Sequence, residues 1–140
     1  MTKNIDKDLK KFSLQREHWK RIPFASDYYV SDLGRVYSVK RKKIKKLEKC
    51  GKYYRVSLRI NGENVRYKMA RLVGMVWVKG FLPELEIHHK NINSFDDRAK
   101  NLVWLTPSVH RLLHTMFKAY KKSLAAKMET RNEVVYGSNN

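Results

Sequence analysis

The stretch Glu84-Leu-Glu-Ile-His88-His89-Lys-Asn-Ile-Asn-Ser-Phe-Asp-Asp-Arg-Ala-Lys-Asn101-Leu-Val-Trp-Leu-Thr106-Pro107-Ser-Val-His110-Arg-Leu-Leu-His114 decides how the second half of this chain folds. Glu84 to His89 reads as extended chain ending in an adjacent histidine pair. The polar run from Lys90 to Lys100 has no apolar periodicity and reads as a loop. Leu102 to Leu105 is a short apolar strand. Thr106-Pro107 then marks a helix start, with threonine as N-cap and proline at the first turn, where its missing N–H costs nothing. That helix carries Val109, Leu112, Leu113, Met116, Tyr120 and Leu124 on one face, with His110 and His114 adjacent at i, i+4 on its border. The order is strand, loop, strand, helix, and it lets the two histidine pairs meet where the first strand lies against the helix.

Four of the five histidines fall in this stretch. They supply enough neutral imidazole for a metal ion and still leave one ring to take a proton. The bland reading of His110 and His114 alone is a partly buried helical pair, and His18, isolated, is read as an ordinary surface or core residue. A structural zinc is a poor match, because such sites close four ligands and usually include cysteine, and Cys50 is the only cysteine. Strict strand alternation sends His88 and His89 to opposite faces, so both serve one site only if the strand ends or twists there.

The bulk numbers agree with chemistry on a polyanion. At 140 residues the chain holds one domain or two small modules sharing a core, and 42% hydrophobic content suffices for that core. A net charge of +18 opposes compaction and points to nucleic acid, whose counterions are released when its phosphates are neutralised. An anionic membrane is the rival partner, but no long apolar run and no clean basic amphipathic helix is present. The N-terminus lacks the apolar core of a signal peptide, and the expectation is an intracellular, cytoplasmic protein.

Upstream, residues 1–16 read as a basic, loosely ordered arm, with a short helix over Asp8 to Leu14 as the alternative. Tyr28 to Val39 reads as two short strands bent around Ser31-Asp32-Leu33-Gly34. Lys40, Arg41, Lys42, Lys43, Lys45 and Lys46 place six cations in seven residues, a run that fits a solvated loop or a phosphate-tracking segment equally. Tyr53 to Met69 reads as a hairpin about Asn61-Gly62, pairing Ile60 with Glu63, Leu58 with Val65, Val56 with Tyr67 and Tyr54 with Met69. Its other face carries Arg55, Arg59, Arg66 and Lys68, like charges that repel unless something anionic covers them. Met69 to Val78 reads as a short helix with Ala70, Val73 and Trp77 on one stripe; Gly74 keeps a strand open as the alternative.

The interval from His89 to Asn101-Leu102 and on to His110, with His88 in front, resembles the HNH endonucleases. His114 is similar to the His-x-x-x-His ending of their colicin-type members. Trp19 to Tyr37 and the hairpin leading into Arg71-Leu-Val73 resemble the NUMOD-type module that precedes HNH sites in phage and intron-encoded homing endonucleases. The resemblance covers about residues 17–115. It implies an α+β chain, a small antiparallel β-hairpin module (17–80) followed by a ββα-metal domain (81–127), with a C-terminal tail at 128–140. It also implies a DNA endonuclease leaving 5′-phosphate and 3′-hydroxyl ends, acting on double-stranded DNA as a monomer or weak dimer.

By the same resemblance His89 is the general base, His88 and His110 hold one divalent metal with His114 as a third ligand, and Asn101 fixes the loop or orients His89. An all-imidazole set favours Zn²⁺, Ni²⁺ or Mn²⁺ over Mg²⁺. The base must be neutral to act, so cleavage should rise with pH. Asn91-Ile92 stands where many relatives have Asp-Gly, and Asp96-Asp97 where Asn-Asn is common. The alternative function is a non-catalytic nucleic-acid-binding protein with a structural metal site.

Overall fold

The structure is a computed structural model that describes residues 2–136, with side chains described for residues 7–131. The architecture is α+β with antiparallel sheets. Two compact units make up the chain, the first ending at Leu105 and the second beginning at Thr106.

The first unit opens with helix α1 (Thr2–Phe12) and a four-stranded sheet of β1 (Trp19–Ile22), β2 (Ala25–Ser31), β3 (Val36–Ser38) and β4 (Lys43–Ile44), paired in that order. The β2–β3 turn falls at Asp32-Leu33-Gly34 as the turn chemistry requires, with Gly34 at φ +83°. The expectation of a loose N-terminal arm does not hold. Helix α1 starts before the expected Asp8 and docks: Leu9 is buried, Phe12 and Tyr37 stack with ring centroids 5.7 Å apart, and Arg35 Nη2 donates to the Phe12 carbonyl at 2.9 Å.

Next come β5 (Glu48–Cys50), β6 (Tyr53–Ile60) and β7 (Glu63–Lys68), a three-stranded sheet. The hairpin turn is as expected, with Asn61 at φ +49° and Gly62 at φ +81°. Three of the four expected cross-strand pairs form; the fourth does not, because the ladder ends at Arg55 and Lys68 and Tyr54 pairs with Lys49 of β5 instead. Met69 has already left the sheet to begin α2 (Met69–Trp77), which settles that segment as a helix.

Helix α2 has no side-chain N-cap bond and no acidic residue in its first turn. A cap is worth about 1 kcal/mol, whereas each fully buried large apolar side chain contributes about 1.5–3 kcal/mol. Met69, Leu72 and Val73 are completely buried, so burial holds this helix in place. It packs on strands of both sheets and on β8 (Glu86–His89) and β9 (Leu102–Leu105), which form a third, two-stranded sheet. Leu102 shares one core with Ile22, Val30, Val56 and Leu58. Residues on both sides of Gly80 therefore lie in one compact unit, which ends at Leu105.

The second unit is helix α3 (Pro107–Tyr136). It runs past the expected end near Lys127 through nine residues assigned to a tail, whose last four, 137–140, lie outside the described residues. Among the described residues no helix is long and apolar enough to cross a membrane.

Candidate metal and catalytic site

Strand β8 sets the first histidine pair. His88 sits opposite Val103 and His89 opposite Leu102, and the strand ends at His89. His88 is buried, and the His89 side chain keeps 14% of its surface. The β8–β9 pair is pinned where Ile87 and Trp104 press on Gly74 of α2: a Cβ at position 74 would lie 2.8 Å from both. Trp104 Nε1 donates to the carbonyls of Gly74 and Val78, each at 3.3 Å. The glycine that weakened the helix reading is thus the contact point between helix and histidine strand.

The loop after His89 is organised by Asn101, in a 3-10 turn (Ala99–Asn101). Its Oδ1 accepts the Asn91 N–H at 3.0 Å, and its Nδ2 donates to Asn91 Oδ1 at 2.9 Å and to the Asp96 carbonyl at 2.8 Å. Its own carbonyl accepts the Lys90 N–H at 2.8 Å. Of the two roles expected for Asn101, this geometry is that of loop organiser. Arg98 grips Asp96 through two 2.6 Å bonds, which hold that carboxyl well below its ordinary range, at about 2. Ile92 takes φ +64°, a conformation that glycine adopts without strain.

The partner of His89 is Asp97, with Nε2 and Oδ1 2.8 Å apart. Asp97 is only 5% exposed. Asp97 stands where an asparagine is common, and no sequence pattern gives it a role. Its histidine partner lies eight residues away across an irregular loop, beyond the reach of any periodicity.

In α3 the expected cap forms, with Val109 N donating to Thr106 Oγ1 at 3.3 Å. His110 and His114 turn their Nε2 atoms to within 3.1 Å of each other. That is the spacing of a shared N–H···N bond. It is also close to the roughly 3.3 Å separation of two ligands at 2.0–2.1 Å around one tetrahedral ion. Val109, Leu112, Leu113, Met116, Tyr120 and Leu124 are all exposed, although helical spacing alone reads as a buried face.

The expected basic residues lie on the first two sheets. The run from Lys40 to Lys46 covers the β3–β4 turn, strand β4 with Lys43, and the residues after it, with Lys42 at φ +48°. Lys40, Arg41, Lys45 and Arg59 converge on a polar cleft of about 690 Å³ with Tyr28 and Asn61. Lys42, Lys43, Lys46, Arg66 and Lys68 are exposed, Lys68 lying over the Tyr53 ring. Two cations have acidic partners that the sequence reading did not supply: Lys40 meets Asp27 at 3.0 Å, and Arg55 meets Glu48 of β5 at 2.7 Å.

Residues 17–59 match the NUMOD4 motif. The chain is 35% identical over 101 residues to an uncharacterised HNH endonuclease of Acanthamoeba polyphaga mimivirus, covering 69% of this chain and 25% of that protein. It is 33% identical over 95 residues to DNA endonuclease I-HmuI of Bacillus phage SP01, covering 66% of this chain and 54% of the relative. For H-N-H endonuclease F-TflII of Escherichia phage T5 the identity is 32% over 111 residues, with 76% and 57% covered. The chain therefore spans between a quarter and little more than half of these relatives. It also resembles the solved structure described as DNA binding and cleavage by the HNH homing endonuclease I-HmuI, with TM-score 0.68, 28% identity, and 81% of this chain and 68% of that one covered.

Proposed function

We propose that this chain, which belongs to the HNH endonuclease family, hydrolyses phosphodiester bonds of double-stranded DNA with a divalent ion held by His88, His110 and His114. The observation that carries the reading is the convergence of the His110 and His114 Nε2 atoms at 3.1 Å, close to the spacing of two ligands on one ion. Imidazole nitrogen suits borderline ions, so the donor set fits the group. When bound, the ion supplies positive charge to the scissile phosphate and the departing oxygen.

The remaining steps belong to the chain's own side chains. His89 takes a proton from the water whose oxygen attacks phosphorus, and the bond to the 3′ oxygen breaks; that oxygen takes up a proton from solvent, leaving 5′-phosphate and 3′-hydroxyl ends. Asn101 keeps the loop after His89 in one conformation. Lys40, Arg41, Lys45 and Arg59 neutralise backbone phosphates along the cleft, and they fix position rather than sequence. One site cuts one strand, so a double-strand break takes two events.

The test is supercoiled plasmid incubated with the chain, with and without chelator, followed by ligation of the products. Metal-dependent nicks that a ligase reseals directly support the reading. Binding without cleavage in every divalent metal overturns it, and favours a structural ion.

A further inference from the structure

The carboxylate against His89 is held from behind by the upstream sheet. Gly34 lies so close to Asp97 that a Cβ there would sit 3.2 Å from Asp97 Cβ and 3.3 Å from its carbonyl oxygen. Two residues on, the Ala99 N–H donates to the Asp32 carbonyl at 2.8 Å. The turn supplying both contacts is itself braced. Ser31 Oγ accepts the N–H groups of Leu33 and Arg35 at 3.2 and 3.0 Å, and Asp32 Oδ1 accepts the His18 N–H at 2.9 Å. Asp97 is thus clamped between a rigid turn and the His89 ring.

We propose that Asp97 is the positioning residue for His89 and that the Ser31–Gly34 turn holds it there, so that the upstream module completes the nuclease site. This rests on the reading of His89 as the base. A buried carboxylate accepting the Nε2 proton selects one tautomer of the neutral ring and stops the ring from turning. The Nδ1 lone pair is then the one left to take the proton from water. Gly34 is required twice over, by its positive φ and by the space Asp97 occupies.

The experiment uses the full chain with Asp97→Ala, Asp97→Asn and Gly34→Ala, and two readouts. The first is the ¹⁵N spectrum of the His89 imidazole, without metal or DNA. The wild type is expected to show the Nε2–H tautomer, Asp97→Ala a mixture of tautomers, and Gly34→Ala a shift in the same direction. Asp97→Asn keeps an acceptor oxygen and stays nearer the wild type. The second is plasmid cleavage, in which Asp97→Ala lowers kcat by about 10–100-fold with KM for DNA unchanged.

A folded Asp97→Ala chain with the wild-type tautomer and kcat overturns the positioning role. A folded Gly34→Ala chain that leaves both unchanged overturns the part assigned to the turn. The imidazole spectrum stands apart from activity. A chain that shows the tautomer response but cuts no DNA keeps the positioning claim and contradicts the nuclease reading.

Discussion

Gly74 and Trp104 touch so closely that no other residue fits at position 74 without displacing the indole, because a Cβ there would lie 2.8 Å from Trp104 Cζ2 and 2.8 Å from Ile87 Cδ1. Alanine in a helix interior is ordinarily better than glycine by about 1 kcal/mol. Here overpacking costs about 1–3 kcal/mol, and Trp104 cannot retreat without stretching its bonds to the Gly74 and Val78 carbonyls. Gly74→Ala should therefore destabilise by up to about 2 kcal/mol in urea unfolding. A gain in stability would contradict this packing.

Ile92 offers the opposite case. A β-branched residue at φ +64° carries strain of about 1–2 kcal/mol, which glycine removes at a smaller entropic cost. Ile92→Gly should raise the thermal midpoint by about 2–4 °C. A fall in midpoint would show that Ile92 side-chain packing outweighs the backbone strain.

Asp96 ties stability to acid pH. Its carboxyl titrates at about 2 rather than the ordinary 3.8, chiefly through the Arg98 hydrogen bonds. A depressed folded pKa contributes stability above the unfolded value and loses it as pH falls through the folded one. Wild type should exceed Asp96→Asn in unfolding free energy above about pH 4, with the gap closing towards about pH 2. A gap independent of pH would refute the assignment.

Metal preference follows from the ligand chemistry. The proposed set of three imidazoles favours Mn²⁺ or Ni²⁺ over Mg²⁺, which prefers oxygen ligands and a nearly full water shell. Plasmid cleavage across a metal series should be faster with Mn²⁺ or Ni²⁺. Full rate with Mg²⁺ alone would contradict the all-histidine ligand set.

How much of this was legible depended on the range of the signal. The hairpin about Asn61-Gly62 was readable because turn chemistry and period-two apolar residues agree locally, and three pairs matched. The Tyr54 pairing failed because the chain turns into α2 after Lys68, a departure set by burial of Met69. Strands β4 and β5 are two and three residues long and carry no alternation to read. The strand, loop, strand, helix order around the histidines was legible from Thr106-Pro107 and the apolar runs. The partner of His89 was not: Asp97 looks like any loop carboxylate until the β2–β3 turn is folded against it. The helix near Asp8 was open only as an alternative, and its earlier start and docking were not readable because the contacts with Arg35 and Tyr37 lie more than twenty residues downstream.

The most direct test of the central claim compares wild type with His89→Ala on supercoiled plasmid in Mn²⁺, with circular dichroism confirming that both are folded. The wild type should convert plasmid to nicked and linear forms, and His89→Ala should still bind DNA but cut it at least about 100-fold more slowly. Equal cleavage by the two proteins would contradict the assignment of His89 as the base and, with it, this account of the site.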